Sequence, residues 1–234
     1  MKYKLLPLVL FFLMSFTTNK NTSVDPKLST TTTVTFETKV ASIYNTLKAN
    51  HLALPQLPCF SQALKGFYQL KEHHLVQKDL LTLIDFSLSS NTKRLWIIDL
   101  ATNTVLLNTF VAHGRNTGEE FAKTFSNDAS SFKSSLGFYV TGEIYQGKHG
   151  MSLKLDGLEK GVNDKARERG IVMHAADYVS TTFIQNNKRL GRSQGCPAIP
   201  AELTSEIIQT IKNKSCLFIY HPSRKTEEKS ALFS

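Results

Sequence analysis

A chain of 234 residues with 41% hydrophobic side chains can bury one good core, and a 10% aromatic content excludes intrinsic disorder. The formal charge of +9 is scattered, with Lys2 and Lys4 near one end and Arg224 and Lys225 near the other. No basic stripe interleaved with aromatics occurs, so no nucleic-acid partner is expected, whereas an anionic polymer suits such a surface.

The chain opens with Met1-Lys2-Tyr3-Lys4 and an apolar run from Leu5 to Phe16, too short for a comfortable membrane span. This is the pattern of a signal peptide over residues 1–20, which implies export to the periplasm or cell envelope, with the leader either cleaved or kept as an anchor. Residues 21–35, rich in Thr and Ser, read as a linker. A small N-terminal helical segment is expected over 36–77. Val40, Ile43, Tyr44 and Leu47 form one helical face, Leu54-Pro55-Gln56-Leu57-Pro58 breaks it, and Phe60, Leu64 and Phe67 line a second helix. His73 and His74 are adjacent, point to different faces, and lack further ligands at metal-site spacing.

Residues 78–222 turn to short strands. Leu81 to Phe86 is one β-rich run, and Arg94 to Leu100 is joined to Val105 to Val111 by the turn Ala101-Thr102-Asn103-Thr104. Strands recur without alternating helices, so the fold expected is mainly β and β-sandwich-like, not a parallel α/β sheet. Residues 114–135 read as a long polar loop, functional or mobile. Tyr145 to Leu158 reads as a glycine-rich hairpin able to wall a cleft. Leu203, Ile207, Ile208 and Ile211 form a helix stripe opened by Pro200, and Ser215 to Tyr220 reads as a core strand. Residues 223–234 form a polar tail.

The chemistry gathers at Gly191-Arg192-Ser193-Gln194-Gly195-Cys196-Pro197-Ala198. Glycine admits positive φ and proline cannot join a central ladder, so Cys196 sits on a turn or rim loop with an accessible thiol. His174 closes the β-branched run Ile171-Val172 and falls at a strand end. Together they are the parts of an activated thiolate: His174 takes the thiol proton, and the N–H groups of Gly195 and Cys196 receive an oxyanion. Three cysteines leave one unpaired in any scheme. Cys59 and Cys216 either pair or are separately buried, and Cys196 is the odd thiol.

The run resembles the L,D-transpeptidase (YkuD-type) catalytic domain, in which Ser193-Gln194-Gly195-Cys196 corresponds to a Ser-His-Gly-Cys signature. It resembles more closely the murein L,D-transpeptidase branch, where Gly-Arg-Ser-Gln-Gly-Cys-Pro is typical. The likeness extends from about Leu80 to Tyr220 through Phe125-Ser126-Asn127, Ser134 to Tyr139, Tyr145 to Gly150, Leu155 to Leu158, Arg169 to His174 and Tyr178-Val179-Ser180. Gln194 replaces the usual His. Pro197-Ala198 replaces a pair that usually ends in an arginine credited with gripping a substrate carboxylate, and Arg192 or Arg169 are the substitutes at hand.

The resemblance implies acyl transfer on peptidoglycan stem peptides as donor and acceptor. Cys196 attacks the L-centre carbonyl of the third-position diamino acid, D-alanine leaves, and an amine resolves the thioester into a 3→3 cross-link; water makes the enzyme an L,D-carboxypeptidase instead. Ser193, Gln194, Arg192, Arg169, His113 and Tyr139 are the orienting or substrate-binding candidates. No cofactor or metal is implied, and a β-lactam of the carbapenem class is an expected covalent inhibitor of Cys196. Two competing classes are a zinc hydrolase built on His113, His174 and Cys196, which lacks any zinc motif, and a non-catalytic wall-binding domain, which has no need of both Cys196 and His174.

Overall fold

The computed structural model describes residues 35–224. The expected signal peptide, almost all of the expected linker and the tail beyond 224 lie outside the described residues.

Helix α1 (Phe36–Asn45) starts at Thr35, whose hydroxyl accepts the Thr38 N–H at 3.2 Å. Its Val40, Ile43 and Tyr44, with Leu47 just beyond, pack into one apolar cluster. Helix α2 (Leu57–Glu72) has Pro58 in its first turn, where the missing N–H costs nothing. Phe60, Leu64 and Phe67 face the sheet together with Leu70. Gly66 is the point of closest approach: a Cβ there would lie 2.0 Å from the Phe138 ring.

Eight strands follow: β1 (Leu80–Asp85), β2 (Leu95–Asp99), β3 (Thr104–Thr109), β4 (Gly137–Gly147), β5 (Gly150–Gly157), β6 (Val172–Ala175), β7 (Ala198–Ile199) and β8 (Cys216–Tyr220). They form one sheet in the order β3-β2-β1-β8-β4-β5-β6-β7. The β1–β8 and β6–β7 pairs are parallel and the others antiparallel. Just past β3, Ala112 bridges to Ala198 of β7, and Gly114 bridges to Ser193. The two ends of the sheet therefore meet, and the mainly β, layered architecture expected arises from one sheet curled into a barrel-like form.

Period-two alternation assigns the two faces. On β8, Cys216, Phe218 and Tyr220 face the α1–α2 layer, whereas Leu217 and Ile219 face the interior with Ile97, Tyr139, Leu153 and Met173. Helix α4 (Thr204–Ile211), entered through a short 3₁₀ turn at Ala201–Leu203, plugs that interior with Ile207, Ile208 and Ile211. Helix α3 (Thr181–Asn187) is not foreshadowed by periodicity, for it buries no side chain; its start is the Ser180 hydroxyl, which accepts the Phe183 N–H at 3.2 Å. Cys59 and Cys216 are separately buried, and all three cysteines are free thiols.

Candidate active site

The Cys196 loop is pinned from both sides before it reaches the sulfur. Ser193 donates its N–H to the His113 carbonyl at 3.0 Å, and its own carbonyl accepts from Arg115 at 2.8 Å. Its hydroxyl accepts the Gly195 N–H at 3.0 Å and donates to the Cys196 carbonyl at 2.6 Å. Gly195 has φ +123, and a Cβ there would meet the Lys133 carbonyl oxygen at 2.8 Å. Glycine is thus required twice over, by conformation and by space. The Gly195 carbonyl accepts from Ser134 Oγ at 3.0 Å, and that oxygen also accepts the Gly114 N–H at 3.0 Å.

The Gly195 N–H, expected to face an oxyanion, donates to the Ser193 hydroxyl inside the loop. The Cys196 N–H favours the thiolate form of its own side chain.

The half-buried Cys196 Sγ accepts the Val172 N–H at 3.5 Å and faces the Gly170 carbonyl at 3.7 Å. Val172 opens β6, and His174 lies two residues, roughly 7 Å, further along the same strand. The parallel register sets His174 opposite Ala198, two residues past the cysteine. Strand pairing, not local sequence, sets the cysteine loop beside the strand that carries His174. His174 is buried, and its Nδ1 lies 2.8 Å from the Ala175 carbonyl. A carbonyl only accepts, so Nδ1 carries the hydrogen and Nε2 of the neutral ring holds the lone pair.

Burial pushes the Cys196 thiol up, opposed by the Val172 N–H and by the Arg169 and Lys148 charges. Burial also pushes His174 down, and the neighbouring His149 and Lys148 add to this. The resting pair at neutral pH is therefore thiol and imidazole, not thiolate and imidazolium.

Arg169 lies within electrostatic reach of Cys196. Its guanidinium donates to the carbonyls of Ser126 and Lys133 and to the hydroxyls of Ser131 and Ser135, tying down the 126–135 stretch. Arg192 donates to the Arg115 and Gly118 carbonyls and to Glu119 Oε1 at 2.5 Å. Both arginines hold loops around the cysteine. Gln194 is exposed. Tyr139 is fully buried and donates to the Ser135 carbonyl at 3.0 Å, so it supports the 126–135 stretch from the core and offers nothing to a substrate.

His113 is also buried. Its Nδ1 meets Arg94 Nη2 at 2.8 Å, and its Nε2 lies 3.2 Å from the Gly118 carbonyl. A guanidinium only donates, so Nδ1 accepts and Nε2–H donates. Burial, then the Arg94 charge, lower the His113 pKa to about 4. With both ring nitrogens engaged, His113 serves the site through its carbonyl, and a three-ligand site with His174 and Cys196 does not form. Among the described residues, no group of three or more His, Cys, Asp or Glu gathers to hold a metal.

Two groups at the thiol escaped the sequence reading of the site: the Val172 N–H and the Lys148 charge. The hairpin β4–β5 delivers Lys148 together with His149. Gly147 pairs with Gly150, which leaves Lys148 and His149 as its two-residue tip, and the His149 ring stacks on His174 with centroids 4.4 Å apart. The glycine-rich spacing signalled the hairpin, but only the sheet register shows where its tip lands.

A family model described as the L,D-transpeptidase catalytic domain matches residues 54–220. The chain belongs to this family, whose matched region takes in α2 as well as the sheet. No curated protein matches the chain. Among solved structures it is similar to an L,D-transpeptidase from Mycobacterium smegmatis, at 10% identity over 61% of this chain and 59% of that one, TM-score 0.38. It is similar to the helical cell shape determining protein Pgp2 from Campylobacter jejuni, at 13% identity over 66% and 54%, TM-score 0.41. It is also similar to LdtMt1 in complex with imipenem, at 9% identity over 61% and 59%, TM-score 0.37. The chain spans less than two thirds of the length of each of these proteins.

Proposed function

We propose that the protein is a cysteine-dependent acyltransferase of peptidoglycan, an L,D-transpeptidase that forms 3→3 cross-links. The observation that carries this reading is the placement of the Cys196 thiol at the start of β6, the strand whose end holds His174 with Nε2 unprotonated. Family membership supplies the substrate class.

His174 Nε2 takes the thiol proton as sulfur attacks the L-centre carbonyl of the third stem residue. The Cys196 N–H receives the oxyanion. As the tetrahedral intermediate collapses, the C–N bond to D-alanine breaks, and the imidazolium returns its proton to the leaving amine. A thioester remains on Cys196. The side-chain amine of a neighbouring stem then attacks, loses a proton to His174, and expels the thiolate, which is reprotonated. Because the resting pair is neutral, proton transfer accompanies attack and does not precede it.

The same thiol is the proposed target of a carbapenem. Export through residues 1–20 to the envelope, where the polymer lies, completes the proposal and is checked by cell fractionation. The deciding experiment is mass spectrometry of tetrapeptide muropeptides incubated with the wild type and with Cys196→Ala. Dimers with loss of D-alanine, only in the wild type, are expected. Tripeptide without dimers makes the enzyme an L,D-carboxypeptidase on the same thioester, and no change in either sample overturns the substrate assignment.

A further inference from the structure

We propose that His149 is a positioning residue for the base: from the tip of the β4–β5 hairpin its ring lies against His174 and fixes the plane in which that imidazole presents Nε2. The inference rests on the reading of His174 as the base, but its primary test requires no turnover.

The register shows why the tip reaches this place. Ser152 on β5 pairs directly with His174 on β6. Strand β5 begins two residues earlier, at Gly150, so the hairpin overhangs the end of β6 at Ala175. The two tip residues thus lie beyond the strand end that carries the imidazole, and one folds back onto it. The ring planes are 20° apart with centroids at 4.4 Å, a stacked arrangement. His174 is then held at two places, by the Ala175 carbonyl at its Nδ1 edge and by His149 on its face, while Nε2 stays free.

Charge makes the contact sensitive to pH. The groups around the imidazole are His149 and Lys148 on the hairpin, and those around the neighbouring thiol are Arg169, Lys148 and Tyr178. A cationic neighbour disfavours a second cation, so Lys148 and His149 both oppose protonation of His174. His149 also keeps His174 from protonating early, which preserves a working base toward lower pH.

His149 is exposed and outside the left-handed region of backbone space, so substituting it adds no strain. The test is an NMR titration of the His174 ring in the Cys196→Ala protein, alone and combined with His149→Ala or His149→Phe. The midpoint of His174 is expected to rise in His149→Ala and to rise less in His149→Phe, which restores a stacked ring without a charge. In the thiol-bearing protein, the acid limb of imipenem acylation moves to higher pH in His149→Ala. A His174 midpoint that stays put in both variants, with an undisturbed amide spectrum, overturns the proposal. Should His149→Ala lose its fold, His149→Phe alone decides by the same midpoint. If imipenem acylates neither protein, the functional reading fails while the titration still decides the role of His149.

Discussion

The Ser193 hydroxyl accepts the Gly195 N–H at 3.0 Å and closes the turn that carries the thiol. The same oxygen donates to the Cys196 carbonyl, so one side chain satisfies a donor and an acceptor on either side of the Cys196 N–H.

Ser193→Ala leaves a buried N–H without its partner, a loss of about 1–3 kcal/mol. We predict a lower thermal midpoint together with slower acylation of Cys196 by imipenem, read by intact-protein mass. Full acylation at an unchanged rate would contradict the role assigned to Ser193.

Two glycines separate backbone strain from crowding. Gly161 has φ +75 with open space around its missing Cβ, whereas Gly195 has φ +123 and the Lys133 carbonyl oxygen at 2.8 Å. Gly161→Ala should cost on the order of 1 kcal/mol and Gly195→Ala clearly more, as measured by urea unfolding. Equal losses would mean that the loop yields at Lys133.

His113 links folding to pH. Its folded-state pKa, about 4, lies below the 6.5 of an unperturbed imidazole. The unfolded chain therefore binds more protons between those values. The contribution to stability is complete above about pH 6.5, declines as pH falls, and is gone below about 4; it amounts to roughly 3 kcal/mol. Urea unfolding at several pH values should show this slope, and His113→Gln should flatten it.

Cys196 should titrate as a thiol held up by desolvation, not as a preformed thiolate. Its alkylation rate is expected to climb into the alkaline range with no plateau at neutral pH. Lys148→Ala removes a charge that favours the thiolate and should move the profile further up. A plateau below neutrality would show an ion pair with His174 and overturn the neutral resting state.

Arg94 tests the support behind the loop. Fully buried, it donates to the Val111 and Leu88 carbonyls and meets His113. Arg94→Met strands these acceptors and should destabilise the protein by about 3–5 kcal/mol, with a proportional fall in the urea midpoint. A loss under 1 kcal/mol would show that water replaces the guanidinium.

Much of this was legible along the chain because it follows from local pattern. The stripe Val40, Ile43, Tyr44, Leu47 and the stripe Leu203, Ile207, Ile208, Ile211 mark helices wherever they dock. The glycines and proline around Cys196 dictate a turn, and Ile171-Val172 places His174 on a strand. Helix α3 escaped because Thr181–Asn187 has no buried face to leave a period. Arg94 reads as one more polar residue beside a strand until its partners arrive from Leu88 and Val111.

The sequence by itself determined most of the elements, the turn around Cys196 and the strand that holds His174, since turn chemistry and hydrophobic period act between near neighbours. Tertiary structure alone decided how Ser193 engages the loop at the cysteine, which arginines are occupied holding loops, and that the β4–β5 tip rests on His174. Those outcomes depend on hydrogen bonds and strand register between residues tens of positions apart, and sequence spacing carries no record of which partner reaches a donor first.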